Sequence, residues 1–106
     1  MSHDFAAQRA ETQAVYTDLQ DQHGLPDEAD VDYFLVPDTA DSDWRPLADA
    51  LSREGYDCQW DEKEGYLTAT LPDQIVSADG IWIGEEVATR LALEHGFHPD
   101  GWGLMG

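Results

Sequence analysis

The sequence predicts an α+β fold: a four-stranded antiparallel sheet with two helices on one face, preceded by one further helix. Three observations predict it. The chain of 106 residues suffices for one domain, residues 1–106, and leaves no room for two. The spacing of apolar residues switches between helical and strand period in the order helix, strand, helix, strand, strand, helix, strand. Gly24, Pro26, Pro37, Gly55, Gly65, Pro72 and Gly96 punctuate nearly every switch. An apolar fraction of 42%, with four Trp, four Tyr and three Phe, separates the chain from a disordered acidic tail.

The first helix is predicted over about 5–22, with Asp4 as N-cap and Gly24 and Pro26 as its end. Its stripe of Phe5, Ala6, Ala7, Ala10, Ala14, Val15 and Leu19 is thin, so this helix packs against a body formed elsewhere, or against a partner. Residues 32–37 form a strand closed by Pro37, and four apolar residues in a row make it central or covered on both faces. Asp41 or Ser42 caps a second helix over about 43–54, with Pro46 tolerated in its first turn and Gly55 after its end. Strands at about 56–61 and 65–71 follow, joined through Glu62-Lys63-Glu64-Gly65 as a hairpin, with Pro72 as the stop. Residues 73–83 are ambiguous between a hairpin fragment and a loop into a helix. One helix from about Asp79 to His95 is the favoured reading, with Glu85 and Glu86 read as its acidic first turn and His95 in its last. Phe97 starts the last strand.

Without the first helix, the order over about 31–104 is β-α-β-β-α-β, the ferredoxin-like or split-βαβ pattern. It leaves one sheet face free, and the first helix is expected across that face or across an edge.

Twenty-three Asp and Glu stand against five Lys and Arg, a formal net charge of -18. A field of that sign repels phosphate backbones and anionic lipid headgroups, so direct nucleic-acid and membrane binding are disfavoured. It suits a basic protein surface, a cation or a salt-rich solvent, and solubility alone would also account for it. Cys58 is the only cysteine, which excludes an internal disulfide. Its acidic neighbours favour a buried apolar role over a reactive thiol. With no leader-like start and no apolar run of membrane length, the expected location is the cytoplasm.

The residues offer little chemistry. Ser2-His3-Asp4 holds the types for nucleophilic catalysis on a terminal tripeptide that nothing fixes in geometry. His95 and His98 straddle Gly96 with no third ligand implied, and Asp38, Asp41 and Asp43 lack the glycine and glutamate spacing of a calcium loop. No catalytic residue, metal or cofactor is expected. The densest local signal is Asp100-Gly101-Trp102-Gly103, where glycines in a strand mark a bulge or a close backbone approach. Trp102 is read chiefly as core closure and secondarily as a partner anchor beside Asp100. Asp61, Glu62, Glu64, Asp100 and Trp102 are the candidate protein-binding residues.

Gln8-Arg9-Ala10-Glu11-Thr12, the Leu91-Ala92 helix running into Gly96-Phe97, and Asp100-Gly101-Trp102-Gly103 resemble the regulator of ribonuclease E activity B family over about residues 8–103. The resemblance implies a ferredoxin-like fold with an added N-terminal helix. It also implies an acidic, non-catalytic protein that binds ribonuclease E on its non-catalytic scaffold region and so modulates RNA decay. Family members often carry an acidic extension past the Gly-Trp-Gly strand. This sequence runs only to Leu104-Met105-Gly106, so a contact made by that extension would need another surface, or another partner. The expected function is thus an acidic regulator that docks on a basic segment of a ribonuclease. Two alternatives stand beside it: an interaction module or sheet-edge homodimer unrelated to RNA decay, and a small enzyme using Cys58 or His95 and His98.

Overall fold

The computed structural model describes residues 3–105 and places in them α1 (Phe5–His23), β1 (Glu28–Pro37), α2 (Trp44–Arg53), β2 (Asp57–Asp61), β3 (Tyr66–Ile75), α3 (Ala78–Glu94) and β4 (Phe97–Met105). The strands form one antiparallel sheet in the order β2-β3-β1-β4. Each of α2 and α3 therefore links two parallel strands that have an antiparallel strand between them.

β1 is central, as its apolar run predicts, but only one of its faces is covered. Val31, Tyr33 and Leu35 are buried, while Asp32, Phe34 and Val36 between them are half-exposed. Rows across the sheet share the covered face, such as Cys58, Ala69, Tyr33 and Trp102. Leu47 and Leu51 of α2 and Ile81, Ala88 and Ala92 of α3 complete that core.

Several boundaries differ from expectation. β1 starts at Glu28 rather than residue 32, because Glu28 and Ala29 pair with Ile75 and Gln74. β3 continues past Pro72, since Pro72 and Asp73 sit in a bulge opposite Asp30, where a proline costs no ladder hydrogen bond. Asp73 takes a φ of 54° there, and its N–H donates to Asp30 Oδ1 at 2.9 Å. The cap of α2 is Asp43, neither Asp41 nor Ser42; its Oδ1 accepts from the Arg45 N–H at 3.0 Å. α3 begins after Ser77, whose Oγ accepts from the Gly80 N–H at 2.9 Å. That start puts Glu85 in the middle of the helix, not in its first turn, where Asp79 stands instead.

The N-terminal helix departs furthest. It lies across neither the free sheet face nor β2; it packs on α3, on the helix side of the sheet. Ala6, Ala7, Ala10, Ala14 and Val15 are exposed, and the inward positions are Phe5, Gln8, Thr12, Tyr16 and Leu19. Thr12 is the one residue of α1 that is fully buried. The docking face is thus partly polar, which an apolar stripe does not reveal.

α3 crosses the sheet closely at Gly84. A methyl group there would meet the Tyr33 hydroxyl and ring, and Leu71 Cδ1 at 2.9 Å. The Tyr33 hydroxyl donates to the Ile81 carbonyl at 2.8 Å and the Tyr56 hydroxyl to the Gly84 carbonyl at 2.6 Å, so both rings are pinned where they are. Burial foremost pushes both phenols far above their ordinary range. Tyr56 and Glu85 reinforce this at Tyr33, and Glu54 at Tyr56, where a hydrogen bond from Ala88 acts the other way.

Two outcomes follow from this crossing. Gly84→Ala gains roughly 1 kcal/mol of helix propensity but overpacks the crossing by about 1–3 kcal/mol. Its melting temperature should fall by several degrees, and an unchanged or raised value in thermal denaturation would refute the tight crossing. Because both phenols titrate higher folded than unfolded, their contribution to stability is intact below about pH 10 and is lost as pH rises further. In an alkaline titration, tyrosinate absorbance from Tyr33 and Tyr56 should appear together with the loss of far-ultraviolet circular dichroism, and not before it.

Candidate functional site

α1 and β4 flank a groove of about 610 Å³ whose floor and walls include Asp4, Gln8, Glu11, Glu85, Asp100 and Trp102. The β4 wall is shaped by a bulge. Trp102 pairs with Tyr33 and Pro99 with Leu35, so Asp100 and Gly101 together oppose the single residue Phe34. Gly101 takes a φ of 96°, which a residue with a side chain enters only under strain. The extra residue resets the alternation of the strand. Pro99 and Trp102, three apart, both face the helix layer, where an unbroken strand would turn one of them away. Trp102 is half-buried and packs against the core as well as lining the groove.

The opposite wall is held by a polar network. Gln8 Nε2 donates to Glu85 Oε2 at 2.9 Å and lies 3.0 Å from Thr89 Oγ1. The Thr12 hydroxyl donates to Glu85 Oε1, and His3 Nε2 lies 2.5 Å from Gln8 Oε1. Glu85 is only 5% exposed, yet its hydrogen-bond partners are neutral. Among the described residues no Lys, Arg or His lies within ion-pair distance of it.

The structure divides the residues nominated from sequence. Asp100, exposed, and Trp102 meet in the groove. Asp61, Glu62 and Glu64 lie at the β2–β3 turn, and β2 is the other edge strand, three strand spacings or roughly 14 Å away. Asp61 is occupied within its own turn, where Oδ1 accepts from the Lys63 and Glu64 N–H groups at 3.0 and 2.9 Å. Glu62 and Glu64 are exposed. Asp4, Gln8, Glu11, Thr12 and Glu85 join the groove without having been singled out as contact residues. A signal for part of this was present, because two segments that carry the family resemblance, residues 8–12 and 100–103, supply its two walls.

Charge is uncompensated across the surface. The four arginines each sit in an ion pair with an acidic neighbour: Arg9 with Asp79, Arg45 with Asp43, Arg53 with Asp49 and Arg90 with Glu86. These pairs are exposed and contribute about 0–1 kcal/mol each. The free sheet face adds Asp57 at its β2 edge, and Asp30 and Asp32 beside Phe34 and Tyr66, whose rings meet edge to face at 6.0 Å.

The residues with nucleophilic or metal-binding chemistry are engaged in packing or in hydrogen bonds of their own. Cys58 is half-buried, with Sγ 3.8 Å from the Ala48 carbonyl. Burial, with Asp57 beside it, pushes its thiol up and away from thiolate character, against a lowering hydrogen bond with Ser52. His98 Nδ1 lies 2.5 Å from Asp38 Oδ1, and His95 caps α3 with its N–H on the Ala92 carbonyl. Asp4 caps α1, and Ser2 lies outside the described residues. Among the described residues no three His, Cys, Asp or Glu converge on a metal position, and no helix is long and apolar enough to cross a membrane.

Residues 9–104 match the family described as regulator of ribonuclease activity B. No curated protein gives a match. A match of this extent runs from within α1 through β4 and takes in the β4 wall of the groove, Glu85, and Glu11, Thr12 and Val15 of its α1 wall. The chain therefore belongs to the regulator of ribonuclease activity B family, and with it to the non-catalytic regulators that act on ribonuclease E.

Proposed function

We propose that this protein regulates its ribonuclease by seating a basic segment of that enzyme in the groove between α1 and β4, without touching RNA. The observation that carries the reading is the groove itself. Asp4, Glu11, Glu85 and Asp100 line it beside the Trp102 indole, and among the described residues no Lys or Arg does. A cationic side chain entering there gains both carboxylate partners and an aromatic face. The strand order β4-β1-β3-β2 and the β-α-β-β-α-β succession support a ferredoxin-like body, with the N-terminal helix as an added wall. We read residues 1–106 as one such domain, acting in the cytoplasm, where RNA decay takes place.

The five residues proposed from sequence take different roles in this reading. Asp100 and Trp102 contact the segment. Glu62 and Glu64, at the far edge, add to the negative field that steers it in, and Asp61 braces their turn.

Surface plasmon resonance with the purified ribonuclease tests this. Association should slow about tenfold or more between low and high salt, as screening shortens the reach of the field. The variant Asp4→Asn/Glu11→Gln/Asp100→Asn, all at exposed positions, should bind at least about tenfold more weakly, chiefly through faster dissociation. Glu62→Gln/Glu64→Gln should slow association alone. Binding that ignores salt, or a triple variant that binds like wild type, would overturn the proposal.

A further inference from the structure

The geometry points to Glu85 as the recognition residue for one arginine side chain of the bound segment. This deepens, and rests on, the reading of the groove as the seat of a basic segment.

A carboxylate that is 5% exposed is rarely left without a cation, because removing its charge from water is costly unless a counter-charge repays part of it. In this chain the position is held by two neutral donors, one on each oxygen: the Thr12 hydroxyl on Oε1 and the Gln8 amide on Oε2. Arg9 and Arg90, which lie on α1 and α3 themselves, are turned elsewhere. Arg9 pairs with Asp79 at 3.6 Å, while Arg90 pairs with Glu86 at 3.2 Å and covers the Phe5 ring at 4.7 Å. His3, at the groove, hydrogen-bonds Gln8 and packs edge-on against Phe5 rather than pairing with Glu85. A buried carboxylate therefore lines an open groove with its charge unanswered from within.

A guanidinium suits this carboxylate better than an ammonium. It presents parallel N–H donors in a fixed plane, matching a carboxylate whose two oxygens each already accept one hydrogen bond from the α1 side. It can take over the Oε2 position from the Gln8 amide, exchanging a neutral hydrogen bond for a charge-assisted one. It can also lie against the Trp102 indole, which lines the same groove. A lysine would supply the charge but neither the fork nor the stacking plane.

Two measurements test the assignment. In the first, methylguanidinium and methylammonium chloride are titrated at matched ionic strength into the labelled protein, with the Gln8 side-chain amide and the Trp102 indole N–H followed by NMR. Methylguanidinium should shift both signals saturably, methylammonium should bind several-fold more weakly, and Glu85→Gln should abolish the difference. Equal responses to the two cations, or a Glu85→Gln protein that responds like wild type, would overturn the assignment whether or not the ribonuclease binds. In the second, each arginine of the ribonuclease's basic segment is replaced in turn by lysine and measured against wild type and Glu85→Gln. One replacement should cost roughly tenfold or more with wild type and little with Glu85→Gln. If the ribonuclease binds but no arginine is coupled to Glu85, the assignment fails while the groove stands; if the small cation binds as expected and the ribonuclease does not, the groove's proposed partner fails instead. Unchanged far-ultraviolet circular dichroism of Glu85→Gln separates lost recognition from a displaced α1.

Discussion

The close passage of α3 over β1 at Gly84 sets the position of almost everything else. Only a residue without a side chain lets the helix backbone lie this near the Tyr33 hydroxyl, and the Tyr33 and Tyr56 hydroxyls then tie α3 to the sheet through backbone carbonyls. Glu85 is the next residue along, so the same crossing fixes its orientation. Its carboxylate in turn receives Thr12 and Gln8 and so places α1. The groove is the space left between a helix positioned in this way and the β4 edge. A contact between two tyrosines and a glycine thus reaches the proposed binding surface through two hydrogen-bonded steps joined by the peptide bond from Gly84 to Glu85.

The second constraint is a matter of parity. Side chains alternate along a strand, so a single extra residue decides which face every later side chain takes. The Asp100-Gly101 bulge brings Trp102 to the helix side in register with Tyr33, and leaves Gly103 on the free face, where its Cβ position lies 3.6 Å from the Phe34 ring. The strand signal and the aromatic anchor of the Asp-Gly-Trp-Gly segment are therefore one feature. The glycine supplies the backbone conformation, the tryptophan both packs against the core and lines the groove, and the exposed aspartate lines the groove beside it.

Much of the fold was legible because local chemistry announces it. Asp4 caps α1, Gly24, Gly55 and Gly96 follow helix ends, and Gly65 closes the β2–β3 turn with a φ of 75°. The favoured helix from about Asp79 agrees with α3, which begins at Ala78, whereas residues 73–75 extend β3, and the Ser77 cap lies in a stretch whose sequence is ambiguous. Pro72 misled because a proline ends a strand only where its missing N–H is needed, and a bulge removes that need. The face of α1 was illegible for a deeper reason. Periodicity detects apolar stripes, whereas α1 is fastened by Gln8 and Thr12 to a buried carboxylate, and alanines that look like a core stripe point to solvent. Glu85 was misread for the same reason: in sequence it is one acid among 23, and only its neighbours in space distinguish it.

Acidity carries different meaning at different places on this surface. On the free sheet face, Asp30 and Asp32 lie beside an aromatic pair, Phe34 and Tyr66, that would otherwise be a self-association site. A second copy would bring like charges into contact there, which works against pairing through that face. At the β2–β3 turn, Glu62 and Glu64 are solvated and act at a distance. In the groove, exposed carboxylates on Asp4, Glu11 and Asp100 stand around the buried one on Glu85, unanswered by any arginine of the chain, all four of which are paired elsewhere. Glu85 is what separates this last group from the others, because a charge withdrawn from water binds an incoming cation more strongly than one still hydrated. A uniformly acidic chain thereby acquires one place where a basic partner is held, and a wider field that guides it there.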